Sequence, residues 1–211
     1  MVDVNLSEEE QVEALKKWWK ENGRSVIVGL VLGLGGVFGW KAWTQHQQEM
    51  VEQASARFEQ LGQSVAVGST ESAVKQAELL INDFGDSAYA IFASLDLAKV
   101  RLDQGDVKGA QPRLRWAMEN STDPSIRQIA RLRLARMMLN DGDLDGTSGI
   151  LAQADDDSFR GEFAKLRGDL ALAQGDKAAA RTAYQEALDN GVSNIALVQM
   201  KLDDMAVTAG P

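Results

Sequence analysis

The run Asp141-Gly-Asp143-Leu-Asp145-Gly146 spaces its carboxylates as the first half of a calcium-binding loop does. Such a loop closes on a bidentate glutamate at its twelfth position; here Ala152 stands there, and Ser148 holds position eight. The Gly-Asp pair also recurs at 105 and 175 without extra carboxylates, so calcium is not expected. Arg127, Arg131, Arg133 and Arg136 cluster on one helical stretch of an acidic region. They could clamp a carboxylate of a bound peptide, or pair with acids of the chain itself. Asp155-Asp-Asp157 reads as a loop that caps the next helix. Gly33-Leu-Gly-Gly-Val-Phe-Gly39 is no dinucleotide loop, because Phe38 replaces the third glycine and no strand precedes it.

Composition narrows the chemistry further. The chain has 211 residues and no cysteine, which excludes disulfides, thiolate nucleophiles and thiolate metal sites. His46, in a polar stretch, is the single histidine, too few for a multi-histidine zinc motif. No catalytic constellation, metal or cofactor is expected. The balance of 22 basic and 31 acidic side chains, −9 overall, argues against nucleic acid as a partner. Only three prolines, beside abundant Ala, Leu and Gln, favour an all-α protein.

The tryptophans locate the first element. Trp18, Trp19, Trp40 and Trp43 bracket the uncharged run Ser25–Trp40, with Arg24 and Lys41 at its edges. Sixteen helical residues span about 24 Å, and the flanking cations and aromatic rings extend that toward the ~30 Å hydrocarbon core. A transmembrane helix is expected at 25–43, preceded by a head at 1–24 and followed by a domain at 44–211. The head is long and charged, and Trp40-Lys41-Ala42-Trp43 is a poor cleavage site, so the span reads as an uncleaved anchor. Lys16, Lys17, Lys20 and Arg24 precede it while Lys41 and Arg57 follow, which favours a cytoplasmic N-terminus and a translocated C-terminal domain.

Two surfaces of this region are candidates for contact. Ser7-Glu8-Glu9-Glu10 is a capping box that starts a helix with Val12, Leu15 and Trp19 on one face. That face touches the membrane or a partner, or simply leads into the span. Gly29, Gly33 and Gly36 share one side of the span. Such a smooth face lets another helix approach closely, from a partner or in a homodimer.

Residues 44–211 carry 17 basic and 25 acidic side chains and contain a repeat. Gly105-Asp106, Gly142-Asp143 and Gly175-Asp176 are spaced by 37 and 33 residues, and Gly68 lies another 37 upstream. Small residues recur at fixed offsets: Ala98, Ala135 and Gly168 before each pair, Ala110, Thr147 and Ala180 after it, then Ala117, Ala154 and Ala187. Leu114, Leu151 and Tyr184 supply the bulk between them. The glycine ends one helix, the aspartate caps the next, and the small residues mark tight antiparallel crossings. Helices are expected near 44–64 and 71–83, 87–104 and 106–119, 124–141 and 143–154, 158–174 and 176–189, closed by a cap near 193–207.

This pattern resembles the tetratricopeptide repeat, an α-solenoid, here of about four helix pairs plus the C-terminal cap. On that resemblance Phe92, Leu95, Lys99, Ile129, Leu132 and Arg136 face the concave, protein-binding groove. The whole chain is similar to the ancillary SecYEG translocon subunit family. The most telling stretches are Glu8-Glu-Glu-Gln-Val-Glu-Ala-Leu-Lys-Lys-Trp-Trp-Lys-Glu-Asn-Gly23 and Phe84-Gly-Asp-Ser-Ala-Tyr-Ala-Ile-Phe-Ala-Ser-Leu-Asp-Leu-Ala98. That similarity implies a single-pass protein of the bacterial inner membrane with a periplasmic domain. It also implies association with SecYEG and with a membrane-anchored periplasmic chaperone of the peptidyl-prolyl-isomerase-like type, passing emerging proteins onward without catalysis. An envelope stress-response regulator, or a scaffold for another inner-membrane assembly, is the alternative.

Overall fold

A computed structural model describes residues 8–154 and 159–207. Ser7 of the capping box and Asp155–Asp157 lie outside the described residues. Among those described, all regular structure is helical: α1 (Glu8–Ala66), α2 (Thr70–Asp83), α3 (Ala88–Asp103), α4 (Val107–Asn120), α5 (Pro124–Asn140), α6 (Leu144–Leu151), α7 (Arg160–Ala173), α8 (Lys177–Asp189) and α9 (Ile195–Val207). The chain divides into two compact units, Met1–Glu52 and Gln53–Pro211.

From Glu8 onward the first unit is one uninterrupted helical stretch, where the sequence suggests a head helix followed by a span. Five glycines between Gly29 and Gly39 each weaken a helix in water by about 1 kcal/mol. In hydrocarbon a freed amide has no water to turn to, so the helix is the only way to satisfy the backbone. An 18-residue apolar window of α1 has none of its residues buried. Leu32 is 70% exposed and Phe38 66%, a surface that water would not tolerate at this extent. α1 is thus long and apolar enough to cross a membrane. At the two ends of the apolar run sit paired rings, Trp18 with Trp19 at 6.5 Å and Trp40 with Trp43 at 5.3 Å. The Trp19 indole lies across Gly23, 3.2 Å from where a β-carbon would stand.

The second unit is built from a turn used repeatedly. Gly105, Gly142 and Gly175 have φ of 78°, 82° and 83°, left-handed values that side chains with a β-carbon resist. At each, the following aspartate amide donates back to a carbonyl five residues earlier: Asp106 to Arg101, Asp143 to Met138 and Asp176 to Ala171, all at 2.9 Å. The carboxylate then accepts the amide of Gly109, Gly146 or Ala179, capping the next helix. One residue pair therefore satisfies the end of one helix and the start of another. Gly68 closes α1 in the same way, and Gly191, which the repeat alignment missed, closes α8.

The small positions lie where these helices cross. Ala98, Ala135, Ala110, Thr147, Ala180, Ala117 and Ala187 are all buried. A β-carbon on Gly168 would stand 2.6 Å from the Tyr184 ring, so α7 and α8 meet more closely than alanine allows. Ala154 is the exception and is only half-buried, because α6 ends at Leu151. Gly146, Thr147, Ser148 and Gly149 are weak helix formers and cut α6 short of the expected 154. The other boundaries from α2 to α9 agree with the repeat reading to within two residues. Phe163, Leu166 and Leu134 carry the core through the middle pairs. Arg101 ties three helices, reaching Glu78 at 3.1 Å and Asp106 at 3.0 Å.

The terminal helix α9 is fastened by charge as well as by packing. Val198 and Met205 enter the core beside Tyr184. Asp169 of α7 accepts from Lys201 of α9, from Tyr184 Oη at 2.6 Å and from Lys165 at 3.0 Å. Burial alone would raise the Asp169 pKa, but the hydrogen bonds from Lys201, Tyr184 and Lys165 outweigh it and hold the carboxyl below its ordinary range. Burial, and then the Asp169 carboxylate, push the Tyr184 hydroxyl far upward, so it stays a donor.

Two stability measurements on the full chain in detergent test this account. Gly168→Val should lower unfolding stability by about 2–3 kcal/mol through overpacking against Tyr184, against about 1 kcal/mol for Gly142→Ala at a left-handed turn with open space around it. Asp169 has a depressed folded pKa, so its contribution is present above the unfolded value of about 3.9 and is lost as pH falls below it. Asp169→Asn should therefore cost about 2 kcal/mol at neutral pH, and its difference from the parent should shrink on acidification.

Candidate functional site

Helices α3, α4 and α5 leave a depression of about 400 Å³ between them. Leu95, Leu102, Leu114 and Met137 supply its apolar lining, and Lys99, Arg133, Arg136 and Asp141 its charges. The helical period explains the set: Leu95, Lys99 and Leu102 fall on one face of α3, as Arg133, Arg136 and Met137 do on α5. A second depression of about 340 Å³ adjoins it, lined by Ile129, Leu132, Phe159, Glu162, Gly191 and Ser193. Arg133 and Arg136 belong to both and so stand at their border.

The charges here are unequally held. Lys99 pairs with Asp103 of its own helix at 2.6 Å, both largely exposed. Arg136, half-exposed, lies 3.8 Å from Glu162. One oxygen of the Glu162 carboxylate, Oε1, accepts from both the amide and the hydroxyl of Ser193, in the connection just before α9. Burial raises the Glu162 pKa, yet the Ser193 hydrogen bonds, Arg136 and Lys165 together bring it below the ordinary value. Asp96 goes the other way: burial raises it, and nearby Arg133 and Lys99 offset that only in part. Arg131 turns to Gln128 of its own helix at 2.8 Å. Asp143 serves as a helix cap, and among the described residues no three His, Asp or Glu side chains converge as a metal site would need.

The groove residues read from the repeat divide between these depressions. Leu95, Lys99 and Arg136 line the first; Ile129, Leu132 and Arg136 line the second. Phe92 lines neither. Its ring packs 6.1 Å from Phe58 of α1, and Tyr89 meets the same ring at 5.7 Å. It lies one turn before Leu95, where the neighbouring helix is the end of α1 and the seam takes an aromatic side chain. Leu102 and Met137 were missed as groove residues, although Leu102 extends the Leu95–Lys99 stripe by one turn. Phe159 and Gly191 had no local signal, since they reach the second depression from connections distant in sequence.

The membrane-side candidates occupy the first unit. A β-carbon on Gly29, Gly33 or Gly36 would meet nothing within 4 Å. Trp18, Trp19, Arg24, Trp40, Lys41 and Trp43 are all exposed on α1. The single histidine, His46, is exposed too.

Comparison with known proteins follows the same outline. A family profile described as a tetratricopeptide repeat-like domain matches residues 16–207. The ancillary SecYEG translocon subunit of Haemophilus influenzae is 37% identical over 95% of this chain and 98% of its own length. The proteins of that name from Aggregatibacter actinomycetemcomitans and Escherichia coli are 33% and 28% identical, over 95% and 98% of this chain and 98% and 100% of their own. Among solved structures, the crystal structure of MamA is similar in fold, with a TM-score of 0.51 at 16% identity over 69% of this chain and 87% of that one. A helical-repeat unit, a helix apolar enough to span a bilayer and end-to-end similarity to these relatives together place the chain in one family: it belongs to the ancillary SecYEG translocon subunits, proteins with a tetratricopeptide repeat-like domain.

Proposed function

We propose that this protein is a non-enzymatic, membrane-anchored adaptor at the SecYEG channel, holding polypeptides or partner proteins in the groove of its helical-repeat unit. The observation that carries the reading is similarity over nearly the whole length to translocon subunits, on a chain whose second unit presents an apolar groove bordered by cations. An anchor raises the effective concentration of such a groove for anything emerging beside it. In this reading α1 crosses the inner membrane once at residues 25–43, with the head at 1–24 in the cytoplasm and residues 44–211 in the periplasm. Trp18, Trp19, Arg24, Trp40, Lys41 and Trp43 set its depth at the two interfaces. Gly29, Gly33 and Gly36 form the face on which a channel helix packs, since small residues let backbones approach where no hydrophobic force separates helix from lipid. The groove hands emerging chains to a periplasmic, membrane-anchored chaperone of the peptidyl-prolyl-isomerase-like type.

Two experiments test these statements. The chain has no native cysteine, so Glu13→Cys and Ala178→Cys report topology cleanly. A membrane-impermeant maleimide applied to cells with a permeabilised outer membrane should label Ala178→Cys and leave Glu13→Cys untouched until lysis; the reverse pattern would sink the orientation. Photo-crosslinkers at Gly29, Gly33 and Gly36 should capture a channel subunit, and those at Lys99 and Leu102 a periplasmic chaperone or a translocating chain. Self-adducts from the glycine positions would mean a homodimer, and capture of a regulator through the head alone would favour the stress-response alternative.

A further inference from the structure

We infer that the two depressions flanking Arg133 and Arg136 receive one extended polypeptide segment of the pattern apolar–acidic–apolar, with an internal side-chain carboxylate held between the two arginines. The inference rests on the reading of this groove as a polypeptide-binding surface and names what it selects. Charge supplies the first argument. Residues 44–211 are acidic by eight charges, yet three of the four charged side chains on the first depression are cations, Lys99, Arg133 and Arg136. The acidic domain repels acidic segments over most of its surface, and this cationic island is where it attracts them.

The state of the arginines supplies the second argument. Arg136 is 48% exposed and held loosely, 3.8 Å from Glu162 Oε2, while Ser193 engages Oε1 of the same carboxylate. Its guanidinium can turn to an incoming carboxylate while Glu162 keeps its Ser193 hydrogen bonds. Arg133 is exposed beside it, one helical turn away on α5, and its charge is felt by the half-buried Asp96 of α3. Two guanidiniums at this spacing present a fork of donors suited to one planar carboxylate. Asp141 at the far edge of the first depression keeps a second acid from settling there.

Placement supplies the third. The arginines border both depressions, so apolar lining lies on each side of them: Leu95, Leu102 and Met137 on one, Ile129, Leu132 and Phe159 on the other. A chain terminus would fill one side and leave the other wet. An extended segment puts residues i, i+2 and i+4 on one face about 7 Å apart, which sets an acid between two large apolar side chains.

The test uses the full chain in nanodiscs of zwitterionic lipid and fluorescence anisotropy with a fluorescein-labelled, end-blocked peptide containing Leu-Ser-Glu-Ser-Phe. Counterparts carry Gln or Lys in place of Glu, and a further probe ends in a free carboxylate after Leu-Ser-Phe. The Glu peptide should bind about tenfold more tightly than the Gln peptide, and the Lys peptide more weakly still. Arg133→Gln with Arg136→Gln should erase that preference while the thermal melt stays unchanged. Leu102→Ser should weaken the Glu and Gln peptides alike. Equal binding of Glu and Gln peptides, no binding of either, or tighter binding of the free-terminus probe would each overturn the inference. The adaptor reading would survive any of these if the channel crosslinks from Gly29, Gly33 and Gly36 persist.

Discussion

Each helix of the repeat unit must end, and its last carbonyls must find donors. That requirement shapes the second unit more than any other. A left-handed glycine followed by an aspartate meets it twice over at Gly105-Asp106, Gly142-Asp143 and Gly175-Asp176: the two amides satisfy the outgoing helix, and the carboxylate satisfies the incoming one. The chain reverses within three residues, which forces the joined helices into contact. Small side chains at the crossings follow from this, and so does the pressing of Tyr184 onto the bare backbone of Gly168. The turn therefore sets the separation of the helices, and the groove is what remains open between successive pairs.

The acidic residues of these turns look like ligand groups when taken out of the repeat. Asp141, Asp143 and Asp145 have half the spacing of a calcium loop, but the Asp143 carboxylate is spent on the Gly146 amide. A carboxylate that caps a helix is oriented toward the backbone and is a poor candidate to converge with others on a cation. Comparing the three copies, rather than reading one in isolation, separates the structural use of this side chain from a chemical one.

The charged residues off the turns serve a different purpose. Asp169 gathers Lys165, Tyr184 and Lys201 from three helices, and Glu162 takes up the amide and hydroxyl of Ser193. Both fasten the closing helix to α7, so the wall of the second depression is held by polar contacts as much as by apolar burial. Arg133 and Arg136, by contrast, stay exposed at the border of the two depressions. The distinction matters because a side chain consumed by the fold cannot also recognise a partner.

The apolar run and its tryptophans, the helix ends and the small crossing positions were all legible in the sequence, because each depends on local chemistry: side-chain transfer, backbone capping and steric size at a fixed helical offset. Leu95, Lys99, Ile129, Leu132 and Arg136, named from the repeat, line the two adjoining depressions. Phe92 lines neither depression; its ring meets Phe58 of α1, and which helix stands opposite a given face is decided by the tertiary structure. The entry of Phe159, Gly191 and Ser193 into the second depression was likewise settled only by tertiary structure. Those features arise where residues far apart in the chain meet, and the period of a helix carries no information about what it meets.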